Sequence, residues 1–517
     1  MANDGGLTKI GVGLLSLRGT NTYNGGTFVF GGTLDIAHDN NLGAVPDESV
    51  TNLTFAGSTL GFRASADHTL HANRTLFITN DTDVSFDTQT YTQTVNGMIV
   101  GEEGSTLKKT GAGTLVLDPG AGRTNTVSSF KNEEGTIVLA SGSFNVTTNA
   151  LGSPYNVFYI TGGTVLVAGS SVRTTGAGYM ALANGNLLIT NGTLNHLSGT
   201  GELLNAFRAR SSTTISGSGI LDLATLRISQ SNGGTIDSNV INVDTGGVIR
   251  LNRLYVDMQS PFVGGVNFNG GTLVAKSTRN DFMGIFHPNW VNILFSVRAG
   301  GAVIDSNGFN IDNKQPLYSG AANDGGFTKR GAGMFTLATN NTYNGVTSIE
   351  AGTLRLGVDN ALPSTNTVTV ASNAVFDMNN KVQTLSEISG SGTVTNNSAL
   401  TVTDTIVPGG DGDAFGTMTL TTTPAALAGV FKVNVATNGA CGRLHVQGDL
   451  DLSELSLSVV DTEQLDKYKW YNIATCTGTL TGTFTTSNLP RLWLIRYKPA
   501  TGSVYLKYNY GTVILLR

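Results

Sequence analysis

The side chains of this 517-residue chain best suited to chemistry are carboxylates and guanidinium groups recurring every twenty-odd residues. Asp222 and Asp244 are 22 apart, Asp237 and Asp257 are 20 apart, and Arg227 and Arg250 are 23 apart. If each interval is one coil of a repeating structure, the members of a pair stack on one face. Two carboxylates held together beside a base would suit acid–base attack on a polysaccharide. Tyr255 could meet a sugar ring there, and so could Phe282, Phe286 and Trp290 in the irregular stretch 276–296. Outward strand positions must carry some charge in any case, and those three aromatics can fold back as a core flap. The plainer account is the expectation, and no catalytic residue is assigned.

The other candidates are weaker. Among the six histidines only His68 and His71 approach metal-ligand spacing, and they lie in a polar stretch of low specificity. Asp411 and Asp413 in "GGDGDAFG" stand as in a calcium loop, but the later acidic ligand is missing, so a polar turn is expected. Gly-x-Gly occurs at 11, 111, 176 and 331 without completing G-x-G-x-x-G between a strand and a helix, and these read as turn glycines. No metal and no cofactor is expected. Cys441 and Cys476 are too few for a disulfide framework. A bond between them and two free buried thiols both stay open, with free thiols preferred because sequence alone brings no Cα atoms within reach.

Composition says what positions these residues. Charged residues are 13% where a soluble domain averages about 25%, and 67 residues are Gly. Polarity therefore comes from Thr, Asn and Ser, which suit strands and tight turns. A net charge of −5 argues against a nucleic-acid partner, which wants a basic face. No stretch is long and apolar enough to span a bilayer.

Short phrases of Gly, a small polar residue and alternating apolar residues recur: "GGTLDI" at 31, "GTLVL" at 113, "GTIVL" at 135, "GGTVLV" at 162, "GGVIRL" at 246, "GGTLVA" at 270, "GGAVID" at 300 and "AGTLRL" at 351. Each reads as a strand after a turn. Their spacing, near twenty residues, fits one coil of a solenoid. Alternation places Leu354 and Leu356 on one face and Thr353 and Arg355 on the other. Stacked coils would join such leucines into an inner column. In "RLHVQGDLDL" the apolar set Leu444, Val446, Leu450 and Leu452 changes parity at Ser453–Glu454 to Leu455, Leu457 and Val459, which predicts a turn and a new strand.

One thirty-residue phrase appears twice, 320 residues apart: "GGLTKIGVGLLSLRGTNTYNGGTFVFGGTLDI" from residue 5 and "GGFTKRGAGMFTLATNNTYNGVTSIEAGTLRL" from residue 325. It has almost no charged side chain and nothing catalytic. Asn21, Asn24, Asn341 and Asn344 are expected at coil turns, bonding backbone or the next coil's Asn, with Tyr23 and Tyr343 capping the apolar column.

The pattern L/F-T-K-x-G-x-G-x-x-x-L, then N-T-Y-N-G, then G-T-L resembles the autotransporter-associated β-strand repeat, also called the passenger-associated transport repeat, of bacterial surface proteins. Copies fall near 7–36, 107–139 (more weakly, "LKKTGAGTLVLDPG") and 327–356. The resemblance implies an all-β, right-handed parallel β-helix over 1–400, with a β-rich C-terminal section over 401–517 that continues or caps it. At 20 to 25 residues per coil and about 4.8 Å between stacked strands, a rod on the order of 100 Å is expected. The resemblance also implies display on, or release from, a bacterial surface. The expected function is that of a non-catalytic structural or adhesin-like extracellular protein, with host or matrix glycans as candidate partners. A carbohydrate-active β-helix, lyase or hydrolase, is the alternative. "MANDGGLTKIG" lacks the basic and apolar regions of a signal peptide, and no translocating barrel follows, so a fragment or processed form of a longer precursor is expected. Open coil ends, including Val513 and Leu515, would then support self-association by end-to-end stacking into filaments.

Overall fold

In "TLVL", "TIVL" and "TVLV" every second side chain is branched and apolar, a pattern a strand can bury on one side only. Thr114–Leu117, Thr136–Leu139 and Thr164–Val167 are accordingly strands that alternate between partly exposed and buried. The computed structural model describes residues 5–147, 158–175, 180–196, 202–205, 211–229, 239–257, 264–285, 293–410 and 415–510. These strands are hydrogen-bonded in parallel to the equivalent strand one coil on, Leu115 to Ile137 and Ile137 to Val165. The fold is a parallel β-helix. All eight strands expected from the Gly-led phrases are present.

The chain divides into two compact units, one built on Met1–Asn267 and the other on Phe295–Arg517, each with short segments from between 268 and 294. In the first unit, one parallel sheet runs from Leu7–Lys9 through Thr27–Val29 and Val50–Phe55 to Thr272–Ala275. A second runs from Leu14–Leu17 through Gly32–Ile36 to Arg253–Asp257. A third begins at His68–Leu70 and reaches Asn239–Asp244. Coils before residue 68 thus have two strands and a turn, and later coils have three strands.

In the second unit the first sheet passes from Ala302–Asp305 through Phe327–Arg330 to Leu455–Val460, and the second from Ile311–Asn313 through Met334–Leu337 to Trp470–Cys476. In the second sheet parallel pairing ends there, although Leu480–Thr481 still pairs in parallel with Leu450–Asp451. Trp470–Cys476 takes Ser503–Tyr508 as an antiparallel neighbour, and Trp493–Lys498 pairs antiparallel on its far side. The parity change at Ser453 is present, with Leu455–Val460 a new strand that buries Leu455, Leu457 and Val459.

The core is a set of columns. Leu107, Phe130, Phe158, Met180, Leu203 and Leu226 occupy one register through successive coils, all fully buried. Phe130 and Phe158 stack with centroids 4.7 Å apart. Each such side chain contributes about 1.5–3 kcal/mol by leaving water, so stability accrues coil by coil. The loose sequence period has a simple cause. Successive first-sheet strands start 20 residues apart at Phe327 and Thr347 but 28 apart at Ile220 and Val248, where a third strand has been added.

Candidate functional site

Two of the charged pairs suggested by sequence spacing, Asp222 with Asp244 and Arg227 with Arg250, are not brought together. Asp222 ends a first-sheet strand in register with Asn195 and Arg250, and its carboxylate accepts a hydrogen bond from Lys276 Nζ at 2.5 Å. Asp244 ends a third-sheet strand. Arg227 lies on the second sheet opposite Tyr255, its guanidinium 5.5 Å from that ring, while Arg250 lies on the first. Coils here are 28 residues long, so these side chains, 22 and 23 apart, fall on different sheets. The backbone of Asp257 is in register with Ser229. Asp237, Phe286, Trp290, Asp411, Asp413, Val513 and Leu515 lie outside the described residues. Phe282 is buried in the core.

His68 and His71 each turn to the backbone. His68 Nδ1 is 3.0 Å from the Ala66 carbonyl, with burial lowering its pKa, and His71 Nδ1 accepts from the Asn73 amide at 3.1 Å. Among the described residues no three of His, Cys, Asp and Glu are grouped to hold a metal ion. Cys441 and Cys476 are free thiols directed to separate carbonyls, of Asn472 at 3.3 Å and Gly478 at 3.5 Å. Burial pushes the Cys441 thiol up to about 11, leaving it a poor nucleophile.

The feature that recurs with defined geometry is the lysine of the repeated phrase. Lys9, Lys109 and Lys329 are all buried. Lys329 Nζ donates to the carbonyls of Arg330, Gly331 and Ala351 at 2.8, 2.7 and 3.0 Å. Lys109 Nζ donates to Thr110, Gly111 and Glu134 at 2.9, 2.6 and 3.1 Å. Lys9 Nζ reaches Gly11 and Gly31 at 2.9 and 2.7 Å, with Ile10 at 3.5 Å. An ammonium has three donors and no acceptor, and here each finds a carbonyl. Two of those carbonyls belong to the lysine's own turn and the third to the next coil, so the side chain ties successive corners together. Loss of hydration still weakens the charged form, pulling Lys109 and Lys329 down from 10.5 to about 8.

Glycines make this approach possible. Gly331 turns at φ 75°, and a Cβ on Gly352 of the next coil would sit 2.4 Å from the Gly331 oxygen. The unit is indifferent to which corner it occupies. Lys9 is the last residue and Lys329 the last but one of a first-sheet strand of its unit, whereas Lys109 lies on a second-sheet strand that turns into the third.

The N-T-Y-N-G turn behaves as expected. Asn341 Nδ2 donates to the Ala361 carbonyl at 2.8 Å while its Oδ1 accepts from the Leu317 amide at 2.9 Å, linking three coils. Asn21 Nδ2 donates to the Asn41 carbonyl at 2.7 Å. Tyr343 is fully buried, its hydroxyl 2.7 Å from Thr347 Oγ1 and its ring 6.2 Å from that of Phe327. Sequence reasoning passed over the lysines, although one stands in each copy, two residues before a glycine. It also passed over Arg74, wholly buried, which donates to Asp39 Oδ1 at 2.8 Å, to the Gly43 carbonyl at 2.7 Å and to Asn52.

Comparison with known proteins agrees with this geometry. The family model described as passenger-associated-transport-repeat matches residues 7–36, 107–147 and 327–356, the segments that hold the three caged lysines. The chain is similar to the Adhesin BmaC autotransporter of Brucella suis biovar 1 (strain 1330), 36% identical over 151 residues. That match covers 29% of this chain, and the chain spans about 4% of the length of that relative. No solved structure matches significantly. The corner module built on Lys9, Lys109 and Lys329 is thus the passenger-associated transport repeat, and this chain carries it three times.

Proposed function

We propose that the chain is a non-catalytic, adhesin-like section of a protein displayed on a bacterial surface. The observation that carries this reading is the recurrence of the caged-lysine repeat through a parallel β-helix, together with the likeness to an autotransporter adhesin. A β-helix with a continuous buried column holds a long lateral surface rigid, which is what presentation to a partner requires. The repeat's conspicuous side chains serve the frame: its lysine and Asn341 bind backbone, and its Tyr343 is buried.

Attachment tests this. A bacterium made to display the chain should adhere to host cell layers severalfold better than its parent, and equal adherence would count against the reading. The non-catalytic part has its own test: incubation with plant and bacterial polysaccharides should release no sugars. End-to-end self-association belongs to the same proposal. The strand Leu7–Lys9 pairs on one side only among the described residues, and Ile10 and Val12 beside it are exposed. Exposed apolar side chains beside a strand edge offer a second copy of the chain a surface on which to pair.

A further inference from the structure

Residues 467–510 depart from the composition of the rest of the chain. They contain Lys467, Lys469, Arg491, Arg496, Lys498 and Lys507 and no Asp or Glu, in a protein of net charge −5. Topology gathers three of these cations on one face. Trp470 is opposite Lys507, and Lys507 is opposite Leu494 on the next strand. Directly opposed residues of antiparallel strands point to the same side, so these three form one row. Tyr505 opposite Arg496 makes a second row, and Lys498 closes a third. Residues of the other parity, Tyr471, Val504 and Leu506, are buried, so this face looks outward.

On that face the rings and cations are organised. Trp470 and Tyr505 pack edge to face at 5.7 Å. Lys507 Nζ lies 4.3 Å from the Trp470 centroid, and Lys498 Nζ lies 5.1 Å from it and 4.9 Å from that of Tyr505. Trp470 is nevertheless 45% exposed. A large exposed indole with two ammonium groups beside its ring is unusual for a surface that has only water to meet.

We propose that this face binds an acidic polysaccharide, one carrying carboxylate or sulfate groups on its sugars. The inference rests on the adhesin reading above and names its partner. Aromatic rings offer flat apolar surface to sugar rings, and the ammonium groups beside them place positive charge where the acid groups would fall. Arg496 and Lys498, two residues apart on one strand, are separated by about 6.5 Å along it. That interval suits a polymer charged once per sugar better than duplex nucleic acid, with one charge per ~1.7 Å of axis. A bilayer fits less well, because the Trp470 ring is engaged by two lysines within the face instead of standing free to enter the headgroup region.

The test uses the purified full chain against immobilised polygalacturonate and heparin, with dextran, duplex DNA and vesicles of phosphatidylglycerol and phosphatidylcholine as further arms. Binding to polygalacturonate or heparin should weaken with salt, fall at least tenfold in K498E/K507E and severalfold in Trp470→Ala, and be absent for dextran. Circular dichroism and thermal unfolding verify that both variants keep the fold, since the substituted side chains are on the outer face. Acidic-glycan binding that is absent, or unchanged in both variants, overturns the proposal. So does DNA or vesicle binding at least as tight. If the displayed chain promotes attachment while the purified chain ignores acidic glycans, the adhesin reading stands and this one falls.

Discussion

The repeats at 7–36 and 327–356 have the same phrase in the same spacing, yet they bury it differently. Phe327, Phe335 and Leu337 are fully buried, while their counterparts Leu7, Leu15 and Leu17 are only partly covered. Tyr343 is fully buried and Tyr23 is partly exposed. The cause is local. Phe327–Arg330 pairs on both sides, with Ala302–Asp305 and Thr347–Ile349, whereas Leu7–Lys9 pairs only with Thr27–Val29 among the described residues. Within each copy the short-range geometry is retained: a lysine meets two carbonyls of its own turn and one of the next coil, and a tyrosine hydroxyl meets a threonine four residues on, at 2.8 Å for Tyr23 and 2.7 Å for Tyr343. The motif therefore encodes a corner, and the neighbouring coil supplies the burial.

Substitution of the core position should separate the copies most. Phe335→Ala removes a fully buried ring from between two coils and should cost about 3–5 kcal/mol, whereas Leu15→Ala, at a partly covered position, should cost under about 1 kcal/mol. Denaturant unfolding of the two variants measures the contrast, and equal losses would show that burial does not distinguish the copies.

The caged lysine comes next. Lys329→Met keeps the aliphatic stem but leaves three carbonyls without their donor, which should cost about 2–3 kcal/mol. Its pH dependence has a definite sign. Burial sets the folded-state value near 8, below the 10.5 of an unperturbed lysine, so the folded protein binds fewer protons than the unfolded chain between those limits. The contribution of this group is complete above 10.5 and is lost as pH falls through 8, and Lys109 acts in the same sense. Between pH 8 and 9.5 the unfolding temperature of the parent should rise relative to that of Lys329→Met. A constant difference across that window would mean that burial does not lower the pKa of this lysine in the folded protein.

How much of this was legible in sequence follows from the range of each interaction. Strands such as Thr353–Leu356 were readable because a one-sided burial pattern is written in consecutive residues. The turn role of Asn341 was readable because it opens a short Asn-rich phrase that closes on Asn344 and Gly345, residues that favour turns. The lysine cage was not, because an isolated Lys in a polar phrase ordinarily reads as solvated, and its third acceptor lies 22 residues away in the next coil. The pairing of Asp222 with Asp244 failed because inserted third strands lengthen the coil, and coil length is set by turns that the apolar pattern does not reveal. The aromatic face was hidden for a related reason. Trp470, Lys507 and Leu494 meet only when the chain abandons parallel stacking for a hairpin.

The tyrosine pair should give a smaller contrast. Tyr343→Phe deletes a hydroxyl bonded to Thr347 in a fully buried site, and Thr347 keeps a partner in Asn366 Oδ1 at 2.6 Å. A loss of about 1 kcal/mol is expected there, and about half that for Tyr23→Phe, where water can replace the bond. Thermal unfolding of the two variants checks the ratio, and an equal loss would argue that the neighbouring coil does not govern this site.

The least stability change, and the most informative outcome for assembly, should come from making the first copy resemble the later one at its surface. Arg330 and Glu350 form an exposed ion pair at 2.7 Å, and the same positions of the first copy hold Ile10 and Phe30, 76% and 51% exposed. Screened surface pairs contribute little, so the double variant Ile10→Arg/Phe30→Glu should change stability by no more than about 0.5 kcal/mol. Its effect should appear in association. Ile10 follows a strand that pairs on one side only among the described residues and Phe30 follows its neighbour, and charge placed there opposes pairing with another chain. If the chain self-associates through this coil, sedimentation velocity at rising concentration should show the parent forming larger species and the double variant remaining monomeric. A parent that stays monomeric at high concentration, or a double variant that assembles as readily, would remove this coil from any account of assembly and leave the exposed apolar residues of the first copy without a role.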